Sequence, residues 1–162
     1  MSTQPLHLRP TAELAERVLL PGDPGRALLL AQVLCEEPRM FNHHRGLWGY
    51  TGRAPDGEPL TIQATGMGGP SAAIVVEELI GLGASRLVRV GTCGALVPEL
   101  ELGQLVVATA VLADDGTSRA LAGGDLRAPD PDMTAELERA AGEQAAAGTV
   151  VSTDVFYDDE EE

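Results

Sequence analysis

The chain has 162 residues, of which 44% are hydrophobic and 22% charged, so it is long enough for one globular domain and too apolar for a disordered one. Its net charge of −14 argues against partners that are themselves negative, namely nucleic acid and anionic membranes. It contains no run of eighteen apolar residues and no signal-peptide pattern, so we predict a cytoplasmic protein without a membrane span.

The chain begins with an arm that leads into a strand and a helix. Residues 1–16 are predicted to be extended. Arg17–Leu20 is a short apolar run typical of a buried strand. Asp23 then acts as an N-cap, and the apolar residues 27–34 form the helix. Pro38 is predicted to end that helix, because the residue before a proline avoids the helical conformation.

Four strands and a second helix are predicted in the next segment. The strands lie at residues 40–44, 47–53, 60–65 and 86–90. Residues 54–57 have the composition of a hairpin turn between the second and third of them. The clearest helix of the chain covers residues 72–82, and Gly83 closes it.

The last third of the chain is predicted to hold two strands and one helix. Residues 104–112 are rich in Val and almost wholly apolar, as a central strand should be. Residues 113–131 are polar and rich in Gly, Pro and Asp, which predicts a long surface loop. A helix at residues 133–147, capped by Asp132, leads to a final strand at residues 149–154.

Alternating strands and helices indicate an α/β fold with a parallel or mixed sheet. The chain shows no internal repeat and no linker, so we predict one domain over residues 1–157. The acidic run at residues 158–162 is predicted to be a disordered tail. Without it the chain still carries nine net negative charges, so any site for an anion must be a local concentration of positive charge.

Two of the predicted strands end in glycine turns that contain arginine, at residues 21–26 and 89–94. Glycine lets backbone N–H groups approach a small anion, and a guanidinium group matches phosphate geometry. The first turn also opens a helix, whose N-terminus favours negative charge. All eleven basic residues are Arg, so the information lies in the positions of Arg26 and Arg89. Taken alone, each turn has a second interpretation as a structural connection.

The histidines and cysteines do not form a metal site in the sequence. His43 and His44 are adjacent, but no third ligand has a matching spacing, so a solvated or core-edge pair is the simpler interpretation. Cys35 and Cys93 are predicted to be free thiols of a reducing compartment. Phe156 belongs to a rare aromatic pair that suits either the core or stacking on a flat heterocycle.

Six motifs occur in order along the chain: PGDPGR at 21–26, NHHRG at 42–46, GYTG at 49–52, GMGGPS at 66–71, RVGTCGA at 89–95 and STDVFY at 152–157. Together they closely resemble the bacterial hexameric nucleoside phosphorylases, the superfamily that holds purine nucleoside phosphorylase and uridine phosphorylase. The resemblance runs from His7 to Tyr157 and implies a three-layer α/β/α sandwich with a mixed central sheet. It also implies that inorganic phosphate attacks C1′ of a nucleoside and releases the free base and a (deoxy)ribose 1-phosphate, with no metal or organic cofactor.

The resemblance assigns roles to residues from both halves of the chain. It implies a phosphate site made of Gly22, Arg26, Arg45, Arg89 and Thr92. It implies a nucleoside site made of His7, Met67, Cys93, Gly94 and Phe156, in which Met67 lies against the sugar and Phe156 stacks on the base. Phosphate held beneath C1′ would be both nucleophile and counter-charge to an oxocarbenium-like transition state.

The resemblance also implies an assembly and a cellular role. Arg45 and His7 would come from a neighbouring subunit, with His7 on the ribose 5′-hydroxyl, so the catalytic unit would be a dimer within a homohexamer. The implied role is nucleoside salvage in the cytoplasm.

The chain departs from the family's pattern after Tyr157. Related chains continue with a glutamate that binds the ribose hydroxyls and with residues that protonate or read the base. We therefore expect a member that lacks the usual C-terminal portion, and no catalytic residue is assignable. The substrate signals conflict, since residues 45–52 look purine-type and residues 68–71 uridine-type, while Met67 and Cys93 favour purine nucleosides.

Two alternative functions stay open. One is a non-catalytic, truncated or degenerate member that keeps the fold, the oligomer contacts and phosphate binding. The other is hydrolysis of nucleosides without phosphate, against which the set Arg26, Arg45 and Arg89 argues.

Overall fold

The computed structural model of the protein describes residues 5–123 and 125–157. The chain divides into two compact units, residues 1–92 and 93–162. Each unit has its own sheet.

The first unit is built on five strands: β1 (Arg17–Leu20), β2 (Glu36–Asn42), β3 (Gly49–Arg53), β4 (Pro59–Gln63) and β5 (Arg86–Arg89). Their order across the sheet is β2-β3-β4-β1-β5. β1 is parallel to both of its neighbours, with Val18 opposite Thr61 of β4 and Leu87 of β5. β3 is antiparallel to β2 and to β4, so the sheet is mixed, as predicted.

Helices cover both faces of this sheet. α1 (Pro24–Leu34) follows β1, and α2 (Gly69–Leu82) follows β4. The core on the α1 side consists of Ala27, Ala31, Tyr50, Ile62 and Ala64. The core on the α2 side consists of Leu8, Val18, Leu20, Phe41, Val75, Leu79 and Ala84. Side chains of a strand alternate between faces, so Val18 and Leu20 pack towards α2 while Leu19 packs towards α1. The predicted α/β/α layering is present in this unit.

The predicted helix signals are confirmed in α1 and α2. Asp23 caps α1, and its Oδ2 accepts the backbone N–H of Arg26 at 2.7 Å. α2 ends at Gly83, which takes the left-handed conformation (φ +111°) that a side chain would oppose.

The second unit contains β6 (Val106–Asp114), α3 (Gly116–Ala122), β7 (Leu126–Arg127), α4 (Pro131–Ala141) and β8 (Ala146–Thr153). Its strand order is β7-β6-β8. β6 is parallel to β8 and antiparallel to the short β7. This sheet is therefore mixed as well.

The prediction that Pro38 ends the first helix is wrong. α1 ends at Leu34, and Pro38 lies inside β2. β2 is an edge strand, and its register with β3 shifts between Glu36 and Arg39. A proline is tolerated at such a place because no neighbouring strand needs its missing N–H.

The predicted loop at residues 113–131 is wrong in part, because α3 and β7 lie within it. Asp115 begins α3 as an N-cap, with Oδ1 accepting the backbone N–H of Ser118 at 2.7 Å. The sequence conceals this helix because it has only seven residues and begins with Gly116.

The helix predicted at residues 133–147 is too long, and Asp132 is not its cap. Asp130 caps α4 by accepting the backbone N–H of Met133 at 2.8 Å, and the helix ends at Ala141. Ala146 and Ala147 instead pair with β6. Pairing with a neighbouring strand therefore outweighs the intrinsic preference of alanine for a helix.

None of the helices in the described part of the chain is long and apolar enough to cross a membrane. The acidic run at residues 158–162, for which a disordered tail is predicted, lies outside the described residues. The single domain over residues 1–157 stays a prediction.

Candidate functional site

Three parallel strands of the first unit end at one edge of its sheet. β1 ends at Leu20, β4 at Gln63 and β5 at Arg89. β3 runs antiparallel to β4, with Gly49 opposite Gln63, so the connection from β2 to β3 also lies at this edge. We call it the carboxyl edge. In open α/β sheets, ligands bind at such an edge, where the turns after the strands converge.

The guanidinium group of Arg89 lies over the glycine turn that follows β1. Its Nη1 donates to the backbone oxygens of Leu20 at 3.1 Å and Val90 at 3.2 Å. A Cβ on Gly22 would lie 3.4 Å from Nη2, and a Cβ on Gly91 would lie 2.9 Å from Nη1. Glycine at position 91 is therefore needed for the guanidinium group to sit this close to the backbone.

The charges of Arg26 and Arg89 act on each other at this turn. Partial burial of its head group lowers the pKa of Arg89, and the positive charge of Arg26 lowers it further. The carboxylate of Asp23 already accepts a backbone N–H as the cap of α1. Two guanidinium groups thus lie beside a helix N-terminus, and this combination suits a small dianion such as phosphate.

Arg45 lies at the carboxyl edge, on the connection between β2 and β3. It belongs to a 3-10 turn at His44–Gly46, and its backbone is left-handed with φ +58° and ψ +21°. This conformation costs an L-residue about 1–2 kcal/mol. The residue is exposed.

His7 lies in the arm and is held by Glu78 on α2. Its Nδ1 is 2.7 Å from Oε1 of Glu78, and the backbone N–H groups of Leu6, His7 and Leu8 donate to the same carboxylate. Desolvation raises the pKa of Glu78, but these hydrogen bonds outweigh it and keep the pKa below its ordinary value. Because Nδ1 is engaged by the carboxylate, Nε2 is the ring nitrogen left to form a hydrogen bond with a hydroxyl group.

Met67 and Thr92 are the remaining predicted residues of the first unit. Met67 directly follows Gly66 at the carboxyl edge, and 94% of its surface is exposed. Gly66 carries φ +73° and lies beside Gly22, because a Cβ on Gly22 would be 3.4 Å from its carbonyl oxygen. Thr92 is exposed at the end of the unit.

Cys93, Gly94 and Phe156 belong to the second unit. Cys93 is a free, exposed thiol, and Gly94 is exposed. Phe156 follows the end of β8 and is 89% exposed. Its ring stands edge-on to that of Tyr157, with 4.9 Å between the centroids. An exposed ring of this kind has a face free for stacking.

The structure thus brings Gly22, Arg26 and Arg89 together and places Arg45 around the same edge. His7 also lies there, because His44 of the turn donates from Nδ1 to its backbone oxygen at 2.9 Å. Among residues 5–123 and 125–157, no three His, Cys, Asp or Glu side chains are grouped as a metal ion would require. The chemistry that these residues offer is the binding of an oxyanion by arginine and backbone.

The amino-acid sequence of this chain matches a known family. The family model described as the phosphorylase superfamily matches residues 16–162. The chain belongs to this superfamily. The resemblance to nucleoside phosphorylases that the motifs indicate is confirmed, and the matched range of the superfamily includes β1 to β8.

Relatives within the superfamily carry several substrate names. The purine nucleoside phosphorylase DeoD-type of Geobacillus kaustophilus is 40% identical over 156 residues, which are 93% of this chain and 66% of that protein. The guanosine phosphorylase of Halorubrum lacusprofundi is 39% identical over 166 residues, covering 100% and 68%. The uridine phosphorylase of Treponema pallidum is 40% identical over 150 residues, covering 90% and 57%. The chain therefore spans about two thirds of the length of the first two relatives and less of the third.

Two residues that shape the carboxyl edge, Glu78 and Asn42, are not among the site residues that the sequence predicts. Glu78 holds the arm through hydrogen bonds. The sequence could have indicated it, because Glu78 lies three positions after the buried Val75 and therefore on a half-buried side of α2. Asn42 is fully buried and contacts both the arm and the Arg45 turn. Asn42 is the first residue of the NHHRG motif, but the motif does not reveal its contact with the arm, because Arg9 is 33 positions away in the sequence.

Proposed function

We propose that this protein acts in phosphorolysis of the N-glycosidic bond of nucleosides, with a preference for purine nucleosides. An oxygen of inorganic phosphate forms a bond to C1′ while the bond from C1′ to the base nitrogen breaks. The base leaves with the electron pair and takes up a proton, and (deoxy)ribose 1-phosphate is the other product. Phosphate is a co-substrate, and we propose that no metal or organic cofactor takes part.

One observation carries this proposal: the guanidinium group of Arg89 lies in the Gly22 turn, within the electrostatic reach of Arg26. Burial and a like charge both disfavour its charged form, and a bound dianion would relieve both effects. The same dianion would stabilise the positive charge that develops on the sugar. The names of the relatives support nucleosides as the second substrate.

The preference for purines rests on Met67 and Cys93, which we propose lie near the sugar and the base. We also propose that Gly94 and Phe156 contact the base, that Thr92 contacts phosphate, and that His7 and Arg45 serve a neighbouring subunit of a hexamer. Support for the last point is that Arg45 is exposed at the carboxyl edge, where it is accessible to a neighbouring subunit. Nucleoside salvage in the cytoplasm is the role we propose.

The proposal is tested by measuring release of base from inosine, adenosine, guanosine and uridine, with and without phosphate. We expect release that depends on phosphate and is fastest with purine nucleosides. Arg89→Ala should lower the phosphate-dependent rate by at least about a hundredfold, as loss of a charge-stabilising group commonly does.

Arg53→Ala is the matched control for this test. Arg53 is the last residue of β3 and lies at the edge of the sheet opposite the carboxyl edge. Its Nη1 donates to the backbone oxygen of Gly57, so its loss should leave the rate unchanged. Base release that is independent of phosphate would show hydrolysis instead. Absence of release with every nucleoside would leave the non-catalytic alternative.

A further inference from the structure

We propose that Asn42 is a positioning residue that ties the arm carrying His7 to the turn carrying Arg45, so that the two groups are presented as one unit. The kinetic part of this inference rests on the proposed function, in which His7 serves the nucleoside and Arg45 the phosphate. The structural part stands on the hydrogen bonds alone.

The carboxamide of Asn42 is completely buried and bonds in two directions. Its Oδ1 accepts the backbone N–H of Arg9 in the arm at 2.8 Å. Its Nδ2 donates to the backbone oxygen of Leu47, just after the Arg45 turn, at 2.5 Å. Longer contacts of 3.4 Å join Oδ1 to the N–H and Nδ2 to the backbone oxygen of His44. One side chain therefore holds the arm on one side and the turn on the other.

Two further side chains complete the connection. His44 donates from Nδ1 to the backbone oxygen of His7 at 2.9 Å, which is a second direct link between turn and arm. Gln63, also completely buried, donates from Nε2 to the backbone oxygen of Leu47 at 2.9 Å. The Leu47 oxygen thus accepts from two buried amides, Asn42 at the end of β2 and Gln63 at the end of β4.

The arm is anchored on its other side by α2. Leu8 is completely buried in the core, and the Glu78 carboxylate holds the backbone on either side of His7. Arg45 itself has a left-handed backbone, which persists only where its surroundings restrain it. Asn42 contributes to this restraint through His44 and Leu47 on either side of Arg45, beside Gln63 and the turn's own backbone hydrogen bonds. The strained turn and the arm therefore share one buried amide.

The coupling is tested without turnover, by perturbing one end and observing the other. Glu78→Gln removes the carboxylate that holds the arm but touches no residue of the turn. Hydrogen exchange of the backbone amides at residues 6–9 and 44–47 should rise together, by about tenfold, the factor that the loss of one hydrogen bond produces. Glu77→Gln, on the exposed neighbour of the same helix, is the matched control and should change neither segment.

Faster exchange at residues 6–9 with an unchanged turn would overturn the coupling. The result does not depend on activity, so it separates this inference from the proposed function. An inactive wild-type protein would count against the proposed function alone.

In the active protein, Asn42→Ala should raise the KM for nucleoside and the KM for phosphate together, each by about tenfold for the loss of the buried amide's hydrogen bonds. His7→Ala should raise the KM for nucleoside only. If Asn42→Ala changed kcat alone, or only one of the two KM values, Asn42 would not position both groups. Should Asn42→Ala fail to fold, the exchange measurement on Glu78→Gln decides.

Discussion

Arg89 and Glu78 both have lowered pKa values, but the lowering has opposite meanings for the two residues. For the guanidinium group, burial and the charge of Arg26 disfavour the charged form. For the carboxylate, hydrogen bonds from the arm favour the charged form in spite of desolvation. The surroundings of Arg89 thus disfavour its positive charge, as expected of a group that binds an anion. The charge of Glu78 is instead stabilised by hydrogen bonds, and Glu78 holds the arm in place.

Asp56 offers a pH test at a single exposed residue. The Arg17 guanidinium bonds both of its carboxylate oxygens, at 2.6 and 3.0 Å, and with the backbone N–H of Glu58 it lowers the pKa of Asp56 to about 2. Because the folded pKa lies below the ordinary value of 3.8, the stabilisation is complete above that pH. It is lost as the pH falls towards 2.

The measurement is an NMR titration of the Asp56 carboxyl group. Arg17→Ala should return its pKa towards the ordinary value, whereas Arg53→Ala, which removes an arginine of the same hairpin that bonds Gly57, should leave it near 2. An Asp56 pKa that ignores the loss of Arg17 would show that the ion pair is not formed in solution.

At the scale of elements, β3 begins at a glycine, Gly49, whose backbone packs directly against neighbouring side chains. A Cβ on Gly49 would lie 2.1 Å from Oε1 of Gln63 and 3.2 Å from Phe41. Both neighbours are completely buried, so they have little room to move. The Gln63 amide also donates to the Leu47 oxygen, and this hydrogen bond links β4 to the Arg45 turn.

Two glycine substitutions should therefore act in opposite directions. Gly49→Ala should lower the free energy of unfolding by about 1–3 kcal/mol, the usual cost of forcing an extra carbon into a packed core. Gly81→Ala should raise it by about 0.5–1 kcal/mol, because position 81 lies inside α2 with no atom near the added Cβ. Urea denaturation of both variants checks the pair. Equal changes in the two would contradict the close packing at Gly49.

At the scale of the whole molecule, a net charge of −14 opposes the approach of any anion. The proposed phosphate site must therefore bind its anion through groups in direct contact with it. Dissolved salt screens the repulsion from distant charges but screens such close contacts much less. Arg26 and Arg89 supply such a local concentration of positive charge, because their charges act on each other at the Gly22 turn.

We expect phosphate to have a specific effect on the thermal stability of the protein. Sodium phosphate should raise the Tm by several degrees above sodium chloride of equal ionic strength, because binding at a hundred times Kd adds about 2.7 kcal/mol. Arg89→Ala should lose the difference between the two salts. An equal rise with chloride, or a rise that survives in the variant, would indicate a general salt effect instead.

The sequence by itself determined the elements that carry local signals. Asp23 and Gly83 mark the ends of their helices because caps use neighbouring residues, and the apolar run at Arg17–Leu20 marks its strand. The family resemblance likewise follows from motifs that are each contiguous. The errors arose where a distant strand decided the outcome, as at Pro38 on an edge strand and at Ala146 beside β6.

Only the tertiary structure decided how the carboxyl edge is put together. Arg89 and Gly22 meet because β5 pairs with β1. Glu78 holds the arm, and Asn42 joins that arm to the Arg45 turn. The physical reason is that the capping signals depend on residues a few positions apart, whereas the hydrogen bonds that assemble this edge join residues 33 to 70 positions apart. No local pattern shows which of these distant residues will pair.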